Sequence, residues 1–419
     1  MYLSGGDSSL HAAVRDQFRS ALPPRLGIAL SGGGDSMALM HLLHECFADA
    51  GVSLHAATVD HGLRPGSAAE AQAAAAAAAA LGIPHQTLHW QEGPGPGNLQ
   101  DQAREARYRL LTAWARENAI PVLTLGHTAD DQAETVLMRL SRAAGVSGLS
   151  GMPVRRTQDG VTLLRPLLGI SRAQLRSYLE VRGLSWSDDP SNEDPRFERV
   201  RMRQALAALD TLGLTVKALA AVAQNMAKAR DALDWYVFLA ARDLACIEAG
   251  AVAMSQRKFR TLPDEIGHRL LVRSLQWVSG NRYPPRRGPM LAAAATARKG
   301  GSATLAGCRV IAGARQVWVC REYNAVSRTV AQPGGLWDGR WQVYGGDAKG
   351  CELRALGPEG LKLCPGWRGT GVPGPVLEAT PAVWRGAELV AAPVAGLADG
   401  WTAAAAGSEE DFFASLLSH

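Results

Sequence analysis

The sequence has no apolar run long enough to cross a bilayer. Its first residues, Met1-Tyr2-Leu3-Ser4-Gly5-Gly6-Asp7, carry neither a basic segment nor the apolar core of a secretion signal, so no leader is expected. The cysteines are few and scattered: Cys46, Cys246, Cys308, Cys320, Cys351 and Cys364. None forms a C-x-x-C pair, which leaves zinc, iron–sulfur and thioredoxin-like centres without support. Unpaired thiols fit a reducing compartment, and a cytoplasmic location is expected. No internal repeat stands out. The net charge of +5 is only a mild lean toward a polyanionic partner. At 419 residues the chain exceeds one ordinary core, so two or three domains are expected.

The chain is organised around Leu26 to Ser36. Leu26-Gly27-Ile28-Ala29-Leu30 reads as a short buried strand. Ser31-Gly32-Gly33-Gly34-Asp35-Ser36 follows as a tight turn, and Met37 to Leu43 continues as a helix. A strand, a glycine turn and a helix N-terminus together make an anion site, because unpaired N–H groups and the helix dipole converge there. The loop has no lysine where a Walker A loop carries one. It suits a pyrophosphate-holding loop for an ATP cut between its α and β phosphates. The plainer alternative is a packing turn.

Strands and helices then alternate. Strands are expected at Val52 to Val59, Ile83 to Trp90 and Val122 to Leu125. Helices are expected at His11 to Leu22, Ser67 to Leu81, Asn98 to Asn118, Ala129 to about Arg142, and Ser171 to Arg182. This pattern predicts an α/β domain with a parallel sheet. Ligands of such sheets bind beyond the carboxyl ends of the strands. That rule gathers the loop at Ser31 to Ser36, the turn at Asp60 to Arg64 and the turn at Gly126 to Asp131 into one place. A first boundary is expected near Leu209 to Thr215. A long helix from Val216 to about Gly250 comes next, with further helices at Leu262 to Val278 and Met290 to Arg298. Short β-like pieces run from Ala303 to Glu322. A second linker is expected at Ala331 to Gly335, before a tail rich in glycine, proline and tryptophan.

Ser31, Ser36 and the amides of Gly32, Gly33 and Gly34 would bind pyrophosphate oxygens. Asp35 repels phosphates unless a cation intervenes, which makes Mg²⁺ the natural third party; the alternative is a helix cap. Asp60 and His61 end a strand: Asp60 would hold Mg²⁺ or a substrate amine and His61 would contact phosphate or base, the alternative being a capped turn. Asp130 or Asp131 caps the helix that carries Glu134, so acids share one face and call for a cation, either Mg²⁺ or a substrate ammonium. His127 stands just ahead of that helix, aimed at the same pocket. Arg104 and Arg107 share a helical face and suit phosphate or developing negative charge. Arg196, Arg199, Arg201 and Arg203 follow an acidic loop, and Arg282, Arg286 and Arg287 flank Tyr283. Both groups suit RNA phosphates or a solvated face.

Ser31 to Ser36 matches the S-G-G-x-D-S signature of the PP-loop ATP pyrophosphatases, which include GMP synthetases, asparagine synthetases and tRNA thiolases. The other motifs narrow the resemblance to the tRNA(Ile)-lysidine synthetases. Asp60-His61-Gly62-Leu63-Arg64 resembles that family's V-D-H-G-L-R segment, Ala103 to Tyr108 its A-R-x-x-R-Y helix, and Gly126 to Thr135 its G-H-x-x-D-D-Q-x-E-T motif. Gly145 to Met152, Arg165 to Leu168 and Trp186 to Asn192 keep the family's order. The likeness is dense from Leu26 to about Arg203 and vague beyond Gly335. Gly34, Thr128 and the segment Arg196-Phe197-Glu198-Arg199 depart from the family pattern.

The resemblance implies a doubly wound parallel sheet of the PP-loop (adenine nucleotide alpha hydrolase-like) type over residues 1–212. A helical middle domain over 213–330 and a small α+β or β domain over 331–419, both tRNA-binding, would follow. It implies an ATP-dependent C–N ligase with ATP and Mg²⁺ as cofactors. The partners are free L-lysine and the isoleucine tRNA with a CAU anticodon; no membrane is involved, and a homodimer is allowed. C2 of the wobble cytidine is adenylated with release of pyrophosphate, and the lysine ε-amine then displaces AMP. Under this resemblance Asp35 holds metal, and Arg107 stabilises the adenylate or its α-phosphate. His127 orients cytosine or phosphate. Asp131 and Glu134 hold lysine and take its proton. Asp60 and His61 join the ATP site, and Arg199, Arg201, Arg286 and Arg287 contact RNA. A tRNA thiolase would need paired cysteines near the site, an amidotransferase-type synthetase would need a glutaminase domain, and a non-catalytic RNA-binding protein would not need the acidic pair.

Overall fold

A computed structural model of the chain describes residues 5–19, 22–63, 66–187, 196, 198–281 and 283–417. Arg64, residues 188–195, Phe197 and Arg282 lie outside the described residues. The chain divides into two compact units, residues 1–230 and 231–418.

The first unit alternates as the sequence predicts. In order it contains α1 (Gly5–Asp16), β1 (Arg25–Ala29), α2 (Gly34–Phe47), β2 (Ser53–Asp60), α3 (Ser67–Ala80), β3 (His85–His89), α4 (Leu99–Glu117), β4 (Val122–Leu125), α5 (Ala129–Leu140) and α6 (Val146–Leu149). A hairpin of β5 (Arg155–Gln158) and β6 (Val161–Leu164), then α7 (Arg172–Val181) and α8 (Glu198–Leu209), complete it before α9 (Val216–Leu244). The six strands lie in the order β3-β2-β1-β4-β6-β5. Neighbours are parallel except β5 with β6. Strand β1 runs outward to β2 on one side and β4 on the other, so the order reverses beside β1. Crevices at such reversals take ligands.

Local chemistry sets the elements. Leu26 and Ile28 of β1 are fully buried in a core with Leu39, Met40, Leu42 and Leu43 of α2. The alanine run becomes α3 on propensity, and its buried residues are Ala71, Ala74 and Ala78, one small-residue face against the sheet. The Asn98 side chain accepts from the Gln100 N–H and starts α4. Ser171 and Gln174 form a capping box at the start of α7. The β5–β6 hairpin is absent from the sequence reading: its strands have four residues each and show no clean alternation.

The second unit holds more β structure than its helical sequence pattern suggests. Helix α9 stops at Leu244, short of the expected Gly250, because Ala245–Glu248 (β7) and Ala251–Ser255 (β8) pair as an antiparallel hairpin. With β9 (Gly301–Leu305), β10 (Cys308–Ala312) and β11 (Gln316–Arg321) they form a sheet in the order β7-β8-β11-β10-β9. Helices α10 (Gln256–Thr261), α11 (Asp264–Ser279) and α12 (Arg287–Lys299) lie between β8 and β9 in the chain. They pack into one core with the sheet through Phe259, Leu270, Leu275, Met290, Val310 and Val317. The tail forms two three-stranded sheets over residues 336–405, around buried Trp337, Trp341 and Trp401. No single described helix is long and apolar enough to cross a membrane.

Candidate active site at the sheet switch point

Segments far apart in sequence meet beyond the carboxyl ends of β1, β2 and β4 and line one cavity of about 790 Å³. Ser31, Gly33, Gly34, Asp35 and Ser36 form one wall, and His61, Arg107, His127, Asp131 and Glu134 face it from other elements. Arg172, Arg176, Arg199 and Arg203 also line it. The predicted collection of three turns is therefore a geometric fact.

The glycine wall is held from within. The Ser36 hydroxyl donates to the Gly33 carbonyl (2.9 Å) and accepts from the Ser31 N–H (3.1 Å). Gly32 takes φ +82°, where side chains are strained, and its carbonyl accepts from the Ser187 N–H at 3.0 Å. Gly33 caps α2 without any side-chain cap, so the first N–H groups of the helix are available to an anion. Gly126 is a close-approach position: a Cβ there would sit 3.1 Å from the Asp35 carbonyl group and the Ser36 Cα. The absence of that atom lets the β4 turn, which carries His127, lie directly on the glycine loop.

The acids of α5 are arranged by their own helix start. Thr128 is the N-cap, and its N–H donates to Asp131 Oδ2 at 2.8 Å. Burial disfavours the Asp131 anion. The Thr128 N–H, Arg172 and Arg199 outweigh it and hold the carboxyl below the usual carboxylate range. Glu134 is only 1 % exposed. Burial, helped by Asp131, pushes its pKa up against the opposing pull of Arg203 and Arg172. Its Oε1 accepts from Arg203 Nε at 3.0 Å, while Oε2 is buried with no partner. Burial takes His127 down to about 3, with the positive charges of Arg165, Arg107 and Arg104 acting the same way against Asp131. The imidazole is therefore neutral at pH 7, and its buried Nδ1 has no partner.

The sequence reading placed a cation among these acids. In the structure a cation of the chain itself, Arg172 at the first position of α7, also stands beside them. Its Nε donates to Asp35 Oδ2 at 3.1 Å, while Nη2 stands 3.6 Å from Asp131 and Nη1 3.8 Å from Glu134. Its backbone N–H donates to Asp130 at 2.8 Å. Burial raises the pKa of Asp35 despite Arg172.

Residues 7–209 match the family model described as a PP-loop domain. Over all 419 residues the chain is 56% identical to a tRNA(Ile)-lysidine synthase of Ruegeria pomeroyi, covering 100% of both chains. It is 34% identical over 339 residues to a tRNA(Ile)-lysidine synthase of Wolbachia pipientis, covering 78% of this chain and 79% of that one. A solved U34-tRNA thiolase from Methanococcus maripaludis is similar at 20% identity and a TM-score of 0.47, over 54% of this chain and 79% of that one.

The chain belongs to the tRNA(Ile)-lysidine synthase family.

Within this family member, the predicted site residues fall into two groups. Ser31, Gly33, Gly34, Asp35, Ser36, His61, Arg107, His127, Asp131, Glu134 and Arg199 share the cavity. Gly32, Asp60 and Arg201 do not line it. The Asp60 carboxylate accepts from the Gly62 N–H at 2.9 Å and lies 3.7 Å from His89, so it fixes its own turn. Arg201 Nη1 donates to the Arg196 carbonyl at 3.0 Å. Arg286 and Arg287 belong to the second unit, at the start of α12. Gly34, smaller than the family pattern leads one to expect, has a local reason. A Cβ there would stand 3.3 Å from the Trp186 ring. Arg172 was missed as a site residue, and Arg203 was seen only as one of an arginine run. The one local signal for Arg172 was its place beside the capping Ser171; its acidic partners are distant in sequence. Among the described residues, no cysteine lines the cavity.

Proposed function

We propose that this chain forms lysidine on tRNA(Ile), using ATP to activate C2 of the wobble cytidine and free L-lysine to replace the C2 oxygen. The observation that carries the proposal is the opposition, across one cavity, of an anion-binding loop and a buried carboxylate with a spare oxygen. In the first step the C2 oxygen attacks the α-phosphorus of ATP, and pyrophosphate leaves toward the amides of Gly33, Gly34 and Asp35 and the hydroxyls of Ser31 and Ser36. Arg107 stabilises the charge at the α-phosphate. Neutral His127 hydrogen-bonds cytosine or phosphate without adding charge. In the second step the lysine ammonium sits between Asp131 and Glu134. Glu134 Oε2 accepts its proton, the freed amine attacks C2, and AMP departs.

The donor set suits Mg²⁺ of the kind that binds with its nucleotide. A single carboxylate, Asp35, stands beside the phosphate loop, and the described residues contain no cluster of three or more side chains that could cage a metal. When bound, Mg²⁺ offsets the charge of the departing pyrophosphate. Arg199, Arg201, Arg286 and Arg287, with residues 213–330 and 331–419 generally, supply contacts to the tRNA body, and the reaction takes place in the cytoplasm. The test is a pyrophosphate-release assay with ATP, lysine and tRNA transcripts. Labelled lysine should enter only the isoleucine transcript with a CAU anticodon; no incorporation into any tRNA overturns the proposal.

A further inference from the structure

Two groups of arginines meet this site, and they differ in what balances them. On the α5 side Arg172, Arg199 and Arg203 each lie within 4.0 Å of a carboxylate. On the α4 side a second group of arginines gathers around a tyrosine. The guanidinium carbons of Arg104, Arg107 and Arg156 stand 5.1, 5.3 and 5.6 Å from the Tyr108 ring centre. Arg165, only 3 % exposed, lies near the Tyr108 hydroxyl and donates to the Pro153 carbonyl at 2.8 Å, while Arg104 Nη2 donates to that hydroxyl at 3.4 Å. Among the described residues, no carboxylate lies within ion-pair distance of Arg104, Arg107 or Arg165. Arg107 and Arg165 each bury an Nε with no partner. Buried guanidinium charge without a counter-ion is costly, and like charges brought together add to the cost. Such a cluster is stabilised when an anion arrives.

The position of the cluster narrows the anion. Arg107 lines the cavity, whereas Arg104, Arg156 and Arg165 do not. Arg104 is exposed and Arg156 half-buried, so the positive charge leads from the cavity out to the surface. The polyphosphate of ATP already has the glycine loop. A cavity of about 790 Å³ admits a nucleotide and a small amine but not a folded RNA. The strand that delivers a base must therefore keep its backbone outside, with a phosphate on either side of the reactive nucleotide. The guanidinium fork binds phosphate bidentately, and the Tyr108 ring beneath holds the forks in place.

We infer that Arg104 and Arg156, which share the Tyr108 ring with the cavity-lining Arg107, hold a backbone phosphate of the RNA strand next to the reactive nucleotide. The inference rests on the tRNA reading above. Its test compares R104Q, R156Q and R104K with wild type in the full chain, by tRNA binding over a salt series, steady-state kinetics and ATP binding. Arg116, exposed in the last turn of the same helix, supplies the control R116Q. For R104Q and R156Q the tRNA Kd and KM should rise about ten-fold, and the log–log salt slope should flatten by about one contact each. The kcat at saturating tRNA and the ATP affinity should hold within about two-fold. R104K should keep most of the slope, and R116Q should match wild type. Unchanged slopes in R104Q and R156Q overturn the inference, as does an ATP affinity that falls in step with tRNA affinity. A wild-type chain that binds tRNA with this slope yet incorporates no lysine strikes the lysidine reading and leaves the phosphate site standing.

Discussion

Glu134 Oε1 is held by Arg203, while Oε2 is buried and without a partner. Burial raises its pKa, which makes it a better proton acceptor than an ordinary surface glutamate. E134Q preserves the shape and removes the base. Lysine incorporation should fall by about 100-fold or more, whereas tRNA-dependent pyrophosphate release should persist. Paired assays with labelled lysine and labelled ATP separate the two, and full incorporation by E134Q would remove Glu134 from this role. Tyr108 offers a second residue-scale test. Burial works against its phenolate, but Arg107, Arg104 and Arg165 prevail and bring its pKa down to about 8. An acid whose pKa is lowered by folding contributes stability fully present above its unfolded pKa of about 10 and lost as pH falls through about 8. Ultraviolet titration should show one tyrosinate forming near pH 8 in wild type and not in Y108F. Between about pH 8 and 10 the stability advantage of wild type over Y108F should grow by roughly 2 kcal/mol. A flat difference across that range would contradict the charge cluster.

At the scale of elements, α9 and α11 are joined by a buried ion pair, Asp234 with Arg269 at 2.9 Å, 4 % and 9 % exposed. Glu265, one turn before Arg269, shares the guanidinium at 2.7 Å. R269A removes a cationic partner of the buried Asp234, and should cost about 1.5–3 kcal/mol in urea unfolding of the full chain. Replacing both partners together, as R269M with D234L, should recover most of that loss, because no buried charge remains. A loss in R269A below about 1 kcal/mol would place the pair in a solvated setting instead. Elements with strong local signals were legible in the sequence. The helices expected from Asn98 and from Ser171 do begin there, each of those residues serving as the cap, and β4 has the predicted bounds, Val122–Leu125. The hairpins β5–β6 and β7–β8 were not legible. Their strands of four and five residues show no alternation, and they exist because each finds a partner across a tight turn with positive φ at Asp159-Gly160 and Ala249-Gly250.

For the molecule as a whole, a net charge of +5 combines with local clusters that are far from neutral. Affinity for tRNA should fall by about ten-fold or more between roughly 50 and 200 mM salt, as a binder with several phosphate contacts requires. Lysine binding, which the proposed mechanism assigns to Asp131 and Glu134, should change much less; equal salt sensitivity of both would argue against backbone phosphate contacts. The glycine loop, the alternating strands and helices, and the acidic face of α5 are legible from the residues alone. These depend on residues within a few turns of one another, through backbone freedom, periodicity and capping. Folding alone brings Arg172 within ion-pair distance of Asp35, Asp131 and Glu134, sets Arg203 on one oxygen of Glu134, and gathers arginines around Tyr108. Charge interactions act through space rather than along the chain. Asp35 and Arg172 stand 137 residues apart in sequence and become neighbours only because the sheet reverses its order beside β1.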